Sequence, residues 1–564
     1  LWRGRLAIAL AALQAARRPG FRRVVTLVCV AVALLVSSVD QWRVSATNRT
    51  GRAEATVGAP VVLTVNAPTA ATLRSVLDRA DPAGDYATPV IVQRPDGGDT
   101  PVVAVDHRRL RQIARWGSDR DTPSQSLLNA LVPSAAPPPI TLTGSRLRLR
   151  VGAVSVTSDD PGSPAPLPVS LQMQVELPDG SVTSTILTVA TGARPSSSTA
   201  LLGGCAKGCT LSRIQLIRAV GDFSSAKVSI QLLGLDAGTA DSWKPVSLGS
   251  AGDWQNSDAA AAALGTAATI SFTPGTGGAL NLQAVSHGSG ATLQHLDVPV
   301  NLPCLVAGGA PASESAGSGD TPSGQQDSAI SMHGIDGQTA SCQPVGTLAF
   351  IPQVGSGALL TDLDLAISST EPVLTNSTSS VWLSAADPVR EKALIATLAA
   401  GGITVTGRAT AAEQQSVYDQ SPPAWSIRAA LATAVLAALI AALMVVIAAF
   451  SSERARSYDL AALRLVGLPV RAVRRAVLLE QLAGVLFAVL VGAVVGVLGA
   501  RLALPAVPLF VNPAPVPKPS YPVAWSAVSV AVGIAVVLLV CAAFIGAFVI
   551  GRRVSPDRLR EGAR

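Results

Sequence analysis

Four stretches of this chain stay apolar for about as long as a helix needs to cross a lipid bilayer, and that constrains the fold more than any other feature. Val24 to Asp40, Ala429 to Phe450, Ala476 to Leu502 and Val523 to Ile550 each offer roughly the 17 to 25 mainly apolar residues that span the hydrocarbon layer. The mean hydropathy of +0.42 over 564 residues agrees. The first stretch competes with a secretory signal peptide, because basic residues precede it. No small-residue cleavage site follows before the polar QWRVSATNR, so a retained span is expected. Leu1 is not a methionine, and the chain is read either as a whole subunit lacking its start or as one half of a longer polypeptide.

The net charge of +7 would suit nucleic acid only if the arginines formed a stripe with interleaved aromatics. They cluster at span ends instead. Arg3, Arg5, Arg17, Arg18, Arg22 and Arg23 precede the first span, Arg454 to Arg475 separate the second from the third, and Arg552 to Arg564 follow the fourth. By the positive-inside rule all three groups are cytoplasmic. That places both termini inside and Gln41 to Arg428 outside as one large domain, with VNPAPVPKPSYP a short outer loop. Trp42, Trp425, Tyr521 and Trp525 then fall at outer span ends, where amphipathic rings favour the headgroup layer. The expected setting is the cell membrane, without a nucleic-acid partner.

Cys205, Cys209, Cys304 and Cys342 all lie in the expected outer domain, where an oxidising compartment lets disulfides persist. Four cysteines allow three pairings. Cys205 with Cys209 and Cys304 with Cys342 is favoured, since GGCAKGC brings the first two together through a glycine-rich turn. A zinc site lacks paired CxxC spacing or a neighbouring histidine. Cys29 and Cys541, within spans, read as apolar fillers.

The fold class expected is an α-helical membrane protein of four transmembrane helices, with a large extracytoplasmic α+β domain carrying an inserted jelly-roll-like β-sandwich. AATLRSVLDRADP and HRRLRQIARW read as helices around the strands YATPVIVQ and TPVVAVD, an α+β segment over 41–138. From about 139 to 303 short alternating strands dominate, beginning with TLTGSRLRLRV, where Leu147, Leu149 and Val151 share one face and Arg146, Arg148 and Arg150 the other. GGAPASESAGSGDTPSGQQDS is poor in apolar residues and reads as a flexible loop closed by its flanking cysteines, over 304–342. The α+β character returns over 343–425. The remaining bounds are an amphipathic inner-face helix over 1–23, spans over 24–40, 426–450, 476–504 and 523–550, a cytoplasmic segment over 451–475, an outer loop over 505–522 and a tail over 551–564.

Several chemistries find no motif. No GxxxxGK[ST] phosphate loop, GxSxG elbow or HExxH occurs, so neither an ATPase nor a hydrolase is expected in this chain, and no cofactor. His107, His287, His295 and His333 are scattered and read as structural or surface residues. Asp362 and Asp364 in LLTDLDLAI, on a strand, would share a face and invite Ca²⁺, as would Asp159 and Asp160, but no shell of six oxygens is visible. Trp243 and Trp254 suggest sugar stacking, with core packing the stronger alternative.

Between the second and third spans, Ser452 to Arg475 reads as a helix, a break at Gly467 and Pro469, and a second helix entering the third span. ERARSYDLAALRLVGLPVRAVRRAVLLEQLAGVLFAVLVGAVVGVLGA resembles the signature region of FtsX-like permeases, the membrane subunits of MacB-type ABC transporters. The resemblance rests on Asp459, Leu463 with Arg464, Gly467 and Glu480, and on the order of one span, a large outer domain and three further spans. It implies a cytoplasmic ABC ATPase in trans, docked on Arg454, Arg456, Asp459, Leu463, Arg464 and Gly467, and mechanotransmission from that ATPase to the outer domain. It also implies a second permease half or copy and export or extraction of an envelope substrate. The inserted β-sandwich departs from the commonest periplasmic domain of the family, so the resemblance carries no substrate over; the partners open to the outer domain are a lipoprotein, a glycan or a peptide. From the residues themselves, Glu480 at the start of a span is costly unless paired or solvated and so reads as functional. Gly492, Gly496 and Gly499 offer a small-residue face for helix packing against membrane neighbours. Arginine far outnumbers lysine and alanine is abundant, which suits an actinobacterium. The alternative is an ATPase-independent membrane-anchored receptor or carbohydrate-binding surface protein.

Overall fold

The structure is a computed structural model. It describes residues 19–95, 100–118, 121–133, 136–158, 169–177, 181–218, 225–257, 268–275, 279–287, 290–299, 301–308, 330–369, 374, 376–451, 470–511 and 517–553. The chain divides into two units, Glu54–Ala412 and the combination of Leu1–Ala53 with Glu413–Arg564.

The first unit is strand-rich. Its nine-stranded sheet runs Ile330–His333, Thr339–Leu348, Asn301–Ala307, Ala358–Asp362, Val102–Val105, Ala87–Gln93, Ser377–Leu383, Val61–Asn66 and Thr404–Thr410. Strands from before and after the intervening region therefore interleave: Val61 stands opposite Leu383, and Val102 opposite Leu359. Ala87–Gln93, Val102–Val105 and Ala358–Asp362 are buried along their whole length, as central strands covered on both faces must be. Part of the cover comes from two helices with side-chain caps. Thr69 Oγ1 accepts from Thr72 N (3.0 Å) ahead of Ala70–Ala80, and Asp387 caps Pro388–Ala400. Leu73, Val76, Leu77, Leu394 and Leu398 then pack with Val61, Leu63, Val381 and Leu383 in one core. Gly58 has φ +98°, and a Cβ there would stand 2.8 Å from the Trp382 ring, so backbone and packing both require glycine.

Inserted in this sheet's sequence are two six-stranded sheets. One runs Thr269–Pro274, Leu280–His287, Ser225–Gly238, Arg146–Ser158 and Ser196–Leu201, with Trp243–Val246 added on Ser225–Gly238. The other runs Trp254–Asn256, Ala291–His295, Cys209–Ile217, Ser170–Glu176 and Val182–Thr188, with Ile140–Leu142 added on Cys209–Ile217. Alternation explains their packing: Leu147, Leu149 and Val151 from the first sheet meet Leu171, Met173, Leu211 and Ile214 from the second in a shared core. The intervening arginines face away, where Arg148 (2.8 Å) and Arg150 (3.1 Å) both engage the buried Asp236.

The structure corrects one expectation, decides between the two uses of the tryptophans in favour of packing, and refines the setting of one disulfide. LLTDLDLAI is not one strand: Asp362 ends Ala358–Asp362, and Leu363–Ser369 is a helix. Asp362 accepts from the Asp364 and Leu365 amides (3.0 and 3.3 Å), capping that helix, and lies 2.6 Å from His107 Nδ1, while Asp364 turns to Arg74 (2.9 Å). The two carboxylates are committed to different partners, which removes the Ca²⁺ reading; Asp159 and Asp160 lie outside the described residues. Trp254 is core, edge-on to Phe272 and His295 with Nε1 donating to the Leu248 carbonyl (2.7 Å), and Arg148 lies over the Trp243 ring at 4.5 Å. Neither ring is free on both faces for a sugar. Finally, Cys304 and Cys342 do not merely flank a loop but sit within the neighbouring parallel strands Asn301–Ala307 and Thr339–Leu348. Their bond (Cα–Cα 5.8 Å) and Cys205–Cys209 (Cα–Cα 5.1 Å) are both present.

Among the described residues the second unit has four helices long and apolar enough to cross a membrane. The helices are Pro19–Val57, Pro422–Ser451, Val470–Ala503 and Trp525–Arg553. The first continues well past the expected end at Asp40, because VDQWRVSATNRT holds no proline or glycine to stop it. Leu436, Leu439, Leu443, Phe487, Leu490, Leu498, Val530, Ile534 and Val537 are at least half exposed, an apolar surface that suits lipid and not water.

Candidate functional site

Small residues hold the helical unit together. Val28, Val32 and Val36 of the first long helix share a core with Ala441 and Val445 of the second, Ala488 and Val489 of the third, and Ala535 and Leu539 of the fourth. A Cβ at Gly492 would stand 2.7 Å from the Cys29 carbonyl oxygen, and one at Gly496 2.7 Å from that of Ala33. The third helix thus approaches the first backbone to backbone, which only glycine permits. Gly499, expected on the same face, meets nothing within 4 Å. Gly546 makes a close approach that the sequence reading passed over: a Cβ there would lie 2.6 Å from Ala449 Cβ. Beside it Gln481 is 7% exposed, and its Oε1 has no hydrogen-bond partner among the described residues.

A polar collar follows the apolar part of the first helix. Asp40, 1% exposed, accepts from Ala524 N (2.8 Å) directly ahead of Trp525–Arg553, so a carboxylate on one helix caps the start of another. Asn48 bonds Ser520 reciprocally, through Nδ2 to its carbonyl (2.8 Å) and Oδ1 from its amide (2.9 Å). Arg49, 2% exposed, donates from Nε to Asp419 (2.7 Å) and also to Ser45 Oγ. Arg52 lies over Phe510 at 4.5 Å, and Tyr418 meets the same ring edge-on at 5.7 Å. Positions 45, 48, 49 and 52 share one helical face, a spacing that could have been read had the helix been carried past Asp40.

The expected ATPase-docking residues Arg454, Arg456, Asp459, Leu463, Arg464 and Gly467 lie outside the described residues. Glu480 lies in Val470–Ala503, with its side chain outside them too.

Residues 431–554 match the FtsX-like permease C-terminal family model. The match begins within the second long helix, takes in the third and fourth, and includes Asp459, Leu463, Arg464, Gly467 and Glu480. It supports an FtsX-like permease subunit of an ABC transporter, a membrane setting and a cytoplasmic ATPase partner. The strand-rich unit lies outside the match. No curated protein matches the chain.

Proposed function

We propose that this chain is the membrane subunit of a MacB-type ABC transporter, or the second half of a fused one, and that it passes the work of a separate ATPase to an extracytoplasmic domain. The observation that carries this reading is the family match at 431–554 on three of the four apolar helices. Arginine clusters at span ends favour inside termini. Two disulfides in the strand-rich unit favour its placement in an oxidising compartment, which agrees. The segment 451–475 then faces the cytoplasm, where Arg464 with its neighbours would meet the ATPase.

Co-purification of the ATPase with an Arg464→Glu variant, beside an Arg558→Glu control in the tail, tests the contact. Reversing a charge at a partner interface costs about 2–5 kcal/mol, whereas a solvated arginine costs almost nothing. Loss of ATPase at Arg464 alone is expected. Undiminished association in both variants, or no nucleotide-dependent partner at all, would return the chain to the receptor reading. Single cysteines at Ser318 and Ser457, in a background without native thiols, should label from outside and inside respectively.

A further inference from the structure

Within the strand-rich unit a cleft of about 760 Å³ opens where the helices Ala70–Ala80 and Leu363–Ser369 meet the end of Ser170–Glu176 and the Cys205–Cys209 turn. That volume is in the range of small-ligand sites, and junctions between substructures are where such sites concentrate. Its charges do not cancel in place. Arg74 is satisfied, pairing with Asp364 (2.9 Å), Asp106 (3.4 Å) and Asp78. Arg79 and Lys207 are exposed to solvent and have no ion pair among the described residues, Arg79 only donating from Nε to the Ser75 carbonyl (3.2 Å). Glu176 has the opposite lack. It accepts from Ser368 Oγ (3.2 Å) but has no cation beside it, and burial, with Asp364 and Asp297 nearby, raises its carboxyl above the ordinary range.

The cleft therefore offers two unpaired cations and one uncompensated carboxyl beside a second. A ligand that completes it carries a negative group and a positive one. A metal ion does not suit, since no trio of His, Cys, Asp or Glu is arranged to hold one among the described residues. A sugar would find no aromatic lining to stack on, whereas Ala71, Leu177 and Ile367 give a side chain an apolar floor. We propose that this cleft binds a short peptide with both termini free, its carboxylate met by Arg79 and Lys207 and its ammonium by Glu176 and Asp364.

Trialanine titrated into the full chain in lipid nanodiscs tests this, with trialanine amide, N-acetyltrialanine and inorganic phosphate as parallel probes. Saturable binding of trialanine is expected, weakened at least about tenfold by either end-block, since each removes one charged contact. Arg79→Ala with Lys207→Ala should abolish the preference for trialanine over its amide. Glu176→Gln should weaken trialanine and leave N-acetyltrialanine unchanged. The end-blocked probes alter no protein residue, so a misfolded variant cannot account for their loss. No saturable binding of trialanine, equal binding of all three peptides, or phosphate binding as tightly as peptide would overturn the proposal.

Discussion

The two units are stabilised by opposite means. In the helical unit the closest approaches are between small residues, with Gly492 and Gly496 against the Cys29 and Ala33 carbonyls, and the buried charges are gathered at one end around Asp40 and Arg49. The strand-rich unit sets charge beside its sheets, as in the group where Arg74, Asp106 and Arg109 are largely buried and Asp78 and Asp364 are about half exposed. Lipid accounts for the difference. An apolar solvent gives no reward for burying leucine, so helices associate by fit, and ionic groups are tolerated only towards their ends. In water, apolar burial drives the fold and ion pairs can be spread over half-buried helix faces.

The sharpest break of this comparison is steric. Gly492→Leu would press a side chain into the backbone of the first long helix, and loss of the folded helical unit is expected, at more than about 3 kcal/mol. Gly499→Leu, into open space, should leave thermal unfolding in detergent near the wild type. Equal effects at both positions would mean that fit does not hold these helices.

Next in size is the collar. Arg49→Met leaves Asp419 without its 2.7 Å partner, and a loss of about 2–3 kcal/mol is expected by denaturant titration. Arg390→Met, which breaks a 3.2 Å pair with Asp85 that is more than half exposed on both sides, should cost less than about 1 kcal/mol. A comparable loss at both would remove the distinction between buried and exposed charge.

The smallest effect expected is at Glu176, and it depends on pH. Burial raises its carboxyl in the folded state, so the stability it contributes is fully present below the ordinary glutamate value and is lost as pH rises through the folded one. Glu176→Gln should therefore match the wild type at about pH 4 and be the more stable at pH 7. A difference that does not change with pH would show that the carboxyl is as well solvated folded as unfolded.

How much of this was legible in the sequence depends on the range of the contacts. The apolar helices were, because length and hydropathy are local. So was the face shared by Leu147, Leu149 and Val151, where alternation decides the side. The order of the nine-stranded sheet was not, since nothing near Val61 specifies Leu383 as its neighbour. Arg49 and Asp419, 370 positions apart, were missed for that reason, and because the first helix was ended at Asp40. Asp364 was misplaced because LLTDLDLAI alternates like a strand, while the Asp362 cap that turns it into a helix uses backbone amides no pattern displays. The residues expected to dock the ATPase came from the family resemblance alone.

The bond between Cys304 and Cys342, 38 positions apart, has one more consequence. It sets a covalent bridge across neighbouring strands of the large sheet, so the intervening polypeptide is no longer what connects the two parts of the molecule. A protease that cuts between these cysteines divides the chain without dividing the protein. The cleaved molecule should run at full mass until a reductant is added, and only then separate into two pieces.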